Sequence, residues 1–353
     1  MGASINLKNI KDIYCDGTKI VKVYAGNKVV YQLNTETIDP TYNYFIFEIS
    51  QALGKNTVIL NNYRAGDETE WDGMTDWGDG TVDSELSHVY EKDGSYRVKT
   101  KYTLGVNKNT VDTNYYTENT SRDILVECLN ININITDAGS FFQSCTSLKT
   151  VKLSRLNVNS ITSTAYMFAN CSSLKTIKGI KALDVSKVEN MNSMFHGCNS
   201  LIDLDLKDWD TSKVQYMNRM FAGCYMPDVS NFNVSNVEYM EGMFAGCYVD
   251  GNHFKNWDTS KAYVMQSMFY GAFISNSIDL TGWDISNCSS MAYMFSGCKI
   301  ENYIDISNLV IPQTCDIYRM FENTYCNTCM NVEHHVRHNG IPDSQWQIMA
   351  YNQ

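Results

Sequence analysis

The 353-residue sequence predicts an α+β protein: a solenoid of repeats, each one short helix and one short parallel strand, preceded by β-rich segments. Three observations carry this. The phrase Met-Phe-x-Gly/Asn-Cys recurs with its Phe at 142, 168, 195, 221, 244, 269, 295 and 321, spaced 23 to 27 residues apart, with the Met kept in seven of the eight and the Cys in six. Twelve residues before seven of these stands a large apolar residue: Leu156, Leu183, Trp209, Phe232, Trp257, Trp283 or Leu309. Between one Phe and the next such residue, several repeats alternate polar and apolar residues, as a half-buried strand does. A unit of about 26 residues cannot bury its own apolar face, so neighbours must stack.

The fixed half of the repeat reads Trp209-Asp210-Thr211-Ser212-Lys213-Val214-Gln215-Tyr216-Met217-Asn218-Arg219-Met220-Phe221. Asp and Ser are N-cap types. Val214, Met217, Met220 and Phe221 follow the stripe of a short helix. Gly223, like Gly197, Gly246, Gly271 and Gly297, falls where a helix closes. The variable half supplies the strands: 148–153, 174–180, 201–206, 278–280 and 304–306. After Cys224 and Cys247 that pattern is missing, and the sheet is expected to be interrupted there.

Composition bounds function. Apolar residues are 44%, charged residues 19%, and the formal net charge is −11. This excludes a disordered chain, and an acidic chain without a basic tract does not suit nucleic acid or an anionic membrane. No apolar run approaches the ~18 residues of a membrane span. The start, MGASINLKN, lacks the cationic and apolar regions of a secretory leader, which leads to an expectation of synthesis in a reducing cytoplasm.

The pattern Met-Phe-x-x-Cys-x-x-Leu…Leu-Asp-Leu…Trp/Phe-Asp-Thr-Ser-Lys-Val-x-x-Met resembles the BspA-like leucine-rich repeats over about 135–330. The resemblance implies a leucine-rich-repeat-type solenoid used for adhesion or recognition, without enzymatic activity. Trp77-Gly78-Asp79-Gly80-Thr81, His88-Val89-Tyr90 and Gly94-Ser95-Tyr96-Arg97-Val98 resemble a PKD-type β-sandwich. Ile13-Tyr14 and Val23-Tyr24, with turns at Gly17 and Gly26, resemble short N-terminal modules of tailed-phage structural proteins; an extra hairpin on the next domain is the other reading. The expected organisation is a small N-terminal β anchoring motif at 1–35, a PKD-like β-sandwich at 40–128, the solenoid at 135–330 and a C-terminal cap at 331–353.

Candidate chemistry is sparse. Cys145, Cys171, Cys198, Cys224, Cys247 and Cys298 occupy one repeat position. Their parallel Cβ vectors do not meet disulfide geometry, so free thiols are expected. Cys326, Cys329, His334, His335 and His338 have a zinc-like look but lack a second Cys pair, and a cap is the alternative. Asp76, Asp79 and Asp83 offer oxygens to calcium or cap turns. His196 and His253 stand without a nucleophile at a recognisable spacing. No enzyme, cofactor or metal is expected.

The candidate recognition surface is the outward face of the strands, Lys152, Lys178, Asp203, Asp205, Asp279, Tyr303 and Asp305, with Tyr225, Tyr248 and His253 on its irregular edge. The expected function is a structural or recognition protein of a bacteriophage virion, bound to other virion proteins through 1–35. It would work within a homo-oligomer or larger assembly and contact a host surface protein or glycan. A bacterial cell-surface adhesin is the alternative.

Overall fold

The structure is a computed structural model. It describes residues 14–15, 18–19, 22–25, 28–32, 42–50, 52, 57–64, 74–85, 87–100, 102–104, 125–130, 132–133, 138–153, 155–156, 161–202, 204–225, 228–307, 309–326, 336–337, 342 and 344–345. The chain divides into two compact units, Met1–Asp39 and Pro40–Gln353. The first contains two antiparallel pairs, Tyr14–Cys15 with Thr18–Lys19 and Lys22–Ala25 with Lys28–Gln32.

In the second unit, strand Asn43–Ile49 pairs antiparallel with Gly94–Thr100 on one side and Leu125–Asn130 on the other. Leu125–Asn130 then pairs in parallel with Thr150–Lys152, which pairs with Thr176–Lys178. One seven-stranded sheet thus runs from the pre-repeat segment into the first repeats. A separate sheet holds Tyr102–Leu104, Thr57–Arg64 and Ser87–Val89.

Between these sheets' strands lies the Trp77 corner. Trp77 is buried and donates its indole N–H to Asp83 at 2.9 Å. His88 stacks on it, and the Tyr90 hydroxyl donates to the Trp77 carbonyl. Gly78 has φ +83°, and a Cβ there would lie 2.5 Å from the Arg97 carbonyl oxygen, so only glycine fits.

The expected helix-plus-strand solenoid is not what the repeats form. Among the described residues no helix of seven residues or more occurs, and the repeats carry only the 3-10 turns Ile180–Ala182 and Gly251–Phe254. The Met-Phe segment is instead a chain of tight turns. Two residues per repeat, two before and two after the Phe, are left-handed. In the Phe195 repeat they are Ser193 (φ 54°) and Gly197 (φ 72°); in the Phe221 repeat they are Arg219 (φ 53°) and Gly223 (φ 76°).

This alternation splits the amides into two sets. Met220, Ala222 and Cys224 donate back three residues, to Met217, Arg219 and Phe221. Met217, Arg219, Phe221 and Gly223 donate across to Tyr239, Glu241, Met243 and Ala245 of the next repeat. An α-helix would use all of them within the segment. The repeats therefore stack as rungs of a backbone ladder. Phe142 to Phe321 form one buried column, with ring centroids 5.2 to 5.7 Å apart and planes within 13°.

The strands also differ from expectation. No strand forms in the described residues around Asp205, so the sheet breaks there. Tyr248–Asp250 does form a strand, despite lacking the leucine pattern, and pairs in parallel with Phe273–Ser275. That sheet continues through Lys299–Ile300 to Tyr325–Cys326. The buried Val249, Ile274 and Ile300 supply the alternation that a strand needs.

Candidate functional site

The structure gathers part of the candidate surface into one stripe. Tyr248, Phe273, Lys299 and Tyr325 are in register across the parallel strands, and Tyr225 bridges to Tyr248. Like positions of successive rungs lie directly above one another, so these rings stack. Tyr225 and Tyr248 are 5.5 Å apart, and Tyr248 and Phe273 are 4.8 Å apart. The Lys299 ammonium sits 5.6 Å from the Tyr325 ring. Tyr225, Tyr248 and Tyr325 are 54%, 40% and 41% exposed. Phe273, Lys299 and Tyr325 were not singled out in the sequence; the signal was the Tyr or Phe directly after Cys224, Cys247 and Ala272.

His253 does not join the stripe. It lies in the turn Gly251–Phe254, with Nε2 3.5 Å from Asp228. Lys152 and Lys178 are exposed and in register in the seven-stranded sheet. Asp279 and Asp305 are half-buried in another sheet and pair with each other's strand. Tyr303 is half-buried just before that strand. Asp203 lies outside the described residues.

The acidic members serve turns. Asp205, Asp279 and Asp305 accept the amides of Lys207, Thr281 and Ser307, each two residues on. The Lys207 amide, joined by Lys181, holds the Asp205 carboxyl below its ordinary value. The Thr281 hydroxyl does the same for Asp279. Asp76, Asp79 and Asp83 likewise accept the amides of Gly78, Thr81 and Glu85.

A second feature lies on the turn ladder. Position Phe−2 carries Tyr166, Ser193 and Arg219 on three successive rungs. The short Ser193 between two long side chains opens a cleft of about 350 Å³. Asn192, Asn218, His196 and Glu241 complete its lining. The side-chain carbonyls of Asn192 and Asn218 accept the amides of Asn218 and Glu241, each at 2.8 Å. Arg219 donates to Glu241 at 2.7 Å. The His196 Nδ1 is buried and has no partner among the described residues. Burial, reinforced by the Arg219 charge, lowers the His196 pKa and keeps the ring neutral near pH 7. Sequence reading saw only a lone His196, because the cleft exists only once rungs stack.

The repeat cysteines are buried free thiols. Five of them donate to the carbonyl of the preceding rung's Phe: Cys171 to Phe142, Cys198 to Phe168, Cys224 to Phe195, Cys247 to Phe221 and Cys298 to Phe269, at 2.7 to 3.0 Å. Among the described residues no cluster of three or more His, Cys, Asp or Glu could hold a metal. Cys329, His334, His335 and His338 lie outside the described residues, as does the side chain of Cys326. No helix among the described residues is long and apolar enough to cross a membrane.

Fold and faces together define a repeat protein of stacked rungs, with an aromatic stripe and a polar cleft on its surface. The chain belongs to the family described as "Mycoplasma protein of unknown function, DUF285", which matches residues 136–249 and again 224–332, more than half of the sequence. No curated protein and no solved structure matches the chain.

Proposed function

We propose that this is a non-enzymatic recognition protein of a bacteriophage virion, a tail, fibre or capsid-decoration component that displays its repeat ladder to a host surface. The observation that carries the recognition reading is the exposed stripe Tyr225–Tyr248–Phe273–Lys299–Tyr325. Aromatic residues such as these are enriched in interface cores. The hairpins of the separate unit Met1–Asp39 support its role as the attachment segment. Short strands without a core of their own gain stability from a partner's sheet edge.

Mass spectrometry of purified virions tests the location. Deleting 1–35 is expected to leave a folded protein that no longer joins the particle. Assembly of the truncated protein at normal copy number overturns the attachment role. A bacterial cell-surface adhesin is the second reading, favoured by the family description, which names Mycoplasma. Labelling of the protein on intact bacterial cells, with none in virions, selects it.

A further inference from the structure

We infer that the Ser193 cleft is a binding site for a neutral sugar residue, held between the Tyr166 and Arg219 side chains. The cleft uses other positions of the repeat than the aromatic stripe, and the inference does not depend on where the protein is displayed. Its volume, about 350 Å³, falls at the lower end of ligand pockets, roughly 300–1,000 Å³.

The lining favours many hydroxyl groups over a charge. Asn192 and Asn218 spend their side-chain carbonyls on backbone amides of the next rung. That fixes both side chains and reserves their NH₂ groups as donors. Arg219 uses one nitrogen on one oxygen of Glu241, leaving further N–H groups and a second carboxylate oxygen. Ser193 and Tyr166 add hydroxyls that both donate and accept. His196 completes the polar lining. A sugar ring presents hydroxyls that both donate and accept.

Charge narrows the class. The Arg219 and Glu241 charges cancel across 2.7 Å. Burial and the neighbouring guanidinium keep His196 uncharged. A phosphate or carboxylate on the remaining Arg219 N–H groups would lie beside the Glu241 carboxylate, and a cation would meet Arg219. An uncharged polyol meets neither penalty.

The fold supplies its own filling variant. Tyr166 and Tyr293 occupy the Phe−2 position in the same left-handed conformation as Ser193. Ser193→Tyr therefore closes the cleft with a residue that this backbone already accepts. Ser267→Tyr places the same side chain at the equivalent position of another rung. The test is ligand-observed NMR on the full chain. The probes are methyl glycosides of neutral hexoses and N-acetylhexosamines, with N-acetylneuraminic acid and glucose 6-phosphate as charged comparators.

At least one neutral glycoside is expected to bind with a Kd of about 1 mM or tighter. Ser193→Tyr should weaken it by about tenfold or more, while Ser267→Tyr leaves it unchanged. Thermal melting checks that both variants fold; if Ser193→Tyr does not, Ser193→Arg, with the residue found at Arg219 and Arg319, takes its place. Absence of binding by every neutral probe, equal binding to the filled variant, or preference for a charged comparator overturns the inference.

Discussion

The thiol column contains its own natural substitutions. On the last rung Thr324 stands where six other rungs carry Cys, and its hydroxyl donates to the Phe295 carbonyl at 2.8 Å. On the Phe269 rung Ala272 stands there and has no side-chain donor. Cys247→Thr should therefore keep the bond to Phe221, and Cys247→Ala should lose it. Urea midpoints should place the Ala variant about 0.5–1.5 kcal/mol below the Thr variant; equal midpoints show that the sulfur only fills space. Burial, joined by Cys224, pushes the Cys247 thiol up to about 12. Alkylation should spare it in the folded protein and label it in denaturant. Reduced cysteines were legible from repeat geometry, but their acceptor was not, because spacing does not say which carbonyl lies above a side chain. Asp79 gives a second residue-scale expectation. Burial opposes its ionisation, but the Thr81 amide and hydroxyl and the His88 ring outweigh it and hold the carboxyl below 3.8. Its stabilising contribution is complete above pH 3.8 and is lost as pH falls through the lower folded value. Asp79→Asn should flatten the stability curve in that window; an unchanged acid limb shows that the Asp79 contacts do not hold.

At the scale of the element, the repeat's apolar positions were legible and its backbone was not. Val214, Met217, Met220 and Phe221 are all fully buried, as the stripe requires. The same four positions also suit a chain of turns that returns to the core every third or fourth residue. Gly242, with φ 58°, was the contrary signal: it sits inside the expected helix, two residues before Phe244. A glycine there is a weak helix former but suits a left-handed turn. Circular dichroism of the purified repeats should lack the double minimum of α-helix. Phe221 stacks between Phe195 and Phe244 at 5.7 Å from each. Phe221→Ala should destabilise by about 3–5 kcal/mol. Amide exchange should then quicken in the flanking rungs first; exchange matching the parent would mean that the column does not hold the stack.

For the whole molecule, the surfaces could not be read from sequence. Lys152 and Lys178 were recognised as outward strand positions, and they are. The acidic half of that face was assigned by the same alternation, yet Asp205, Asp279 and Asp305 are committed to turns. Carboxylates two residues before an amide serve either purpose, and only the backbone decides. The stripe and the cleft depend on which side chains lie over one another on adjacent rungs, a relation that a linear pattern does not display.

The crosswise amide bonds have a mechanical consequence. Because each rung is tied to the next by its own short set of N–H···O contacts, a pull along the stack loads one set at a time. Each released rung of about 26 residues pays out roughly 90 Å of extended chain. Held in a force spectrometer by its two ends, the ladder should lengthen in even steps and rewind when relaxed. A protein built this way would give under load one coil after another, rather than failing all at once.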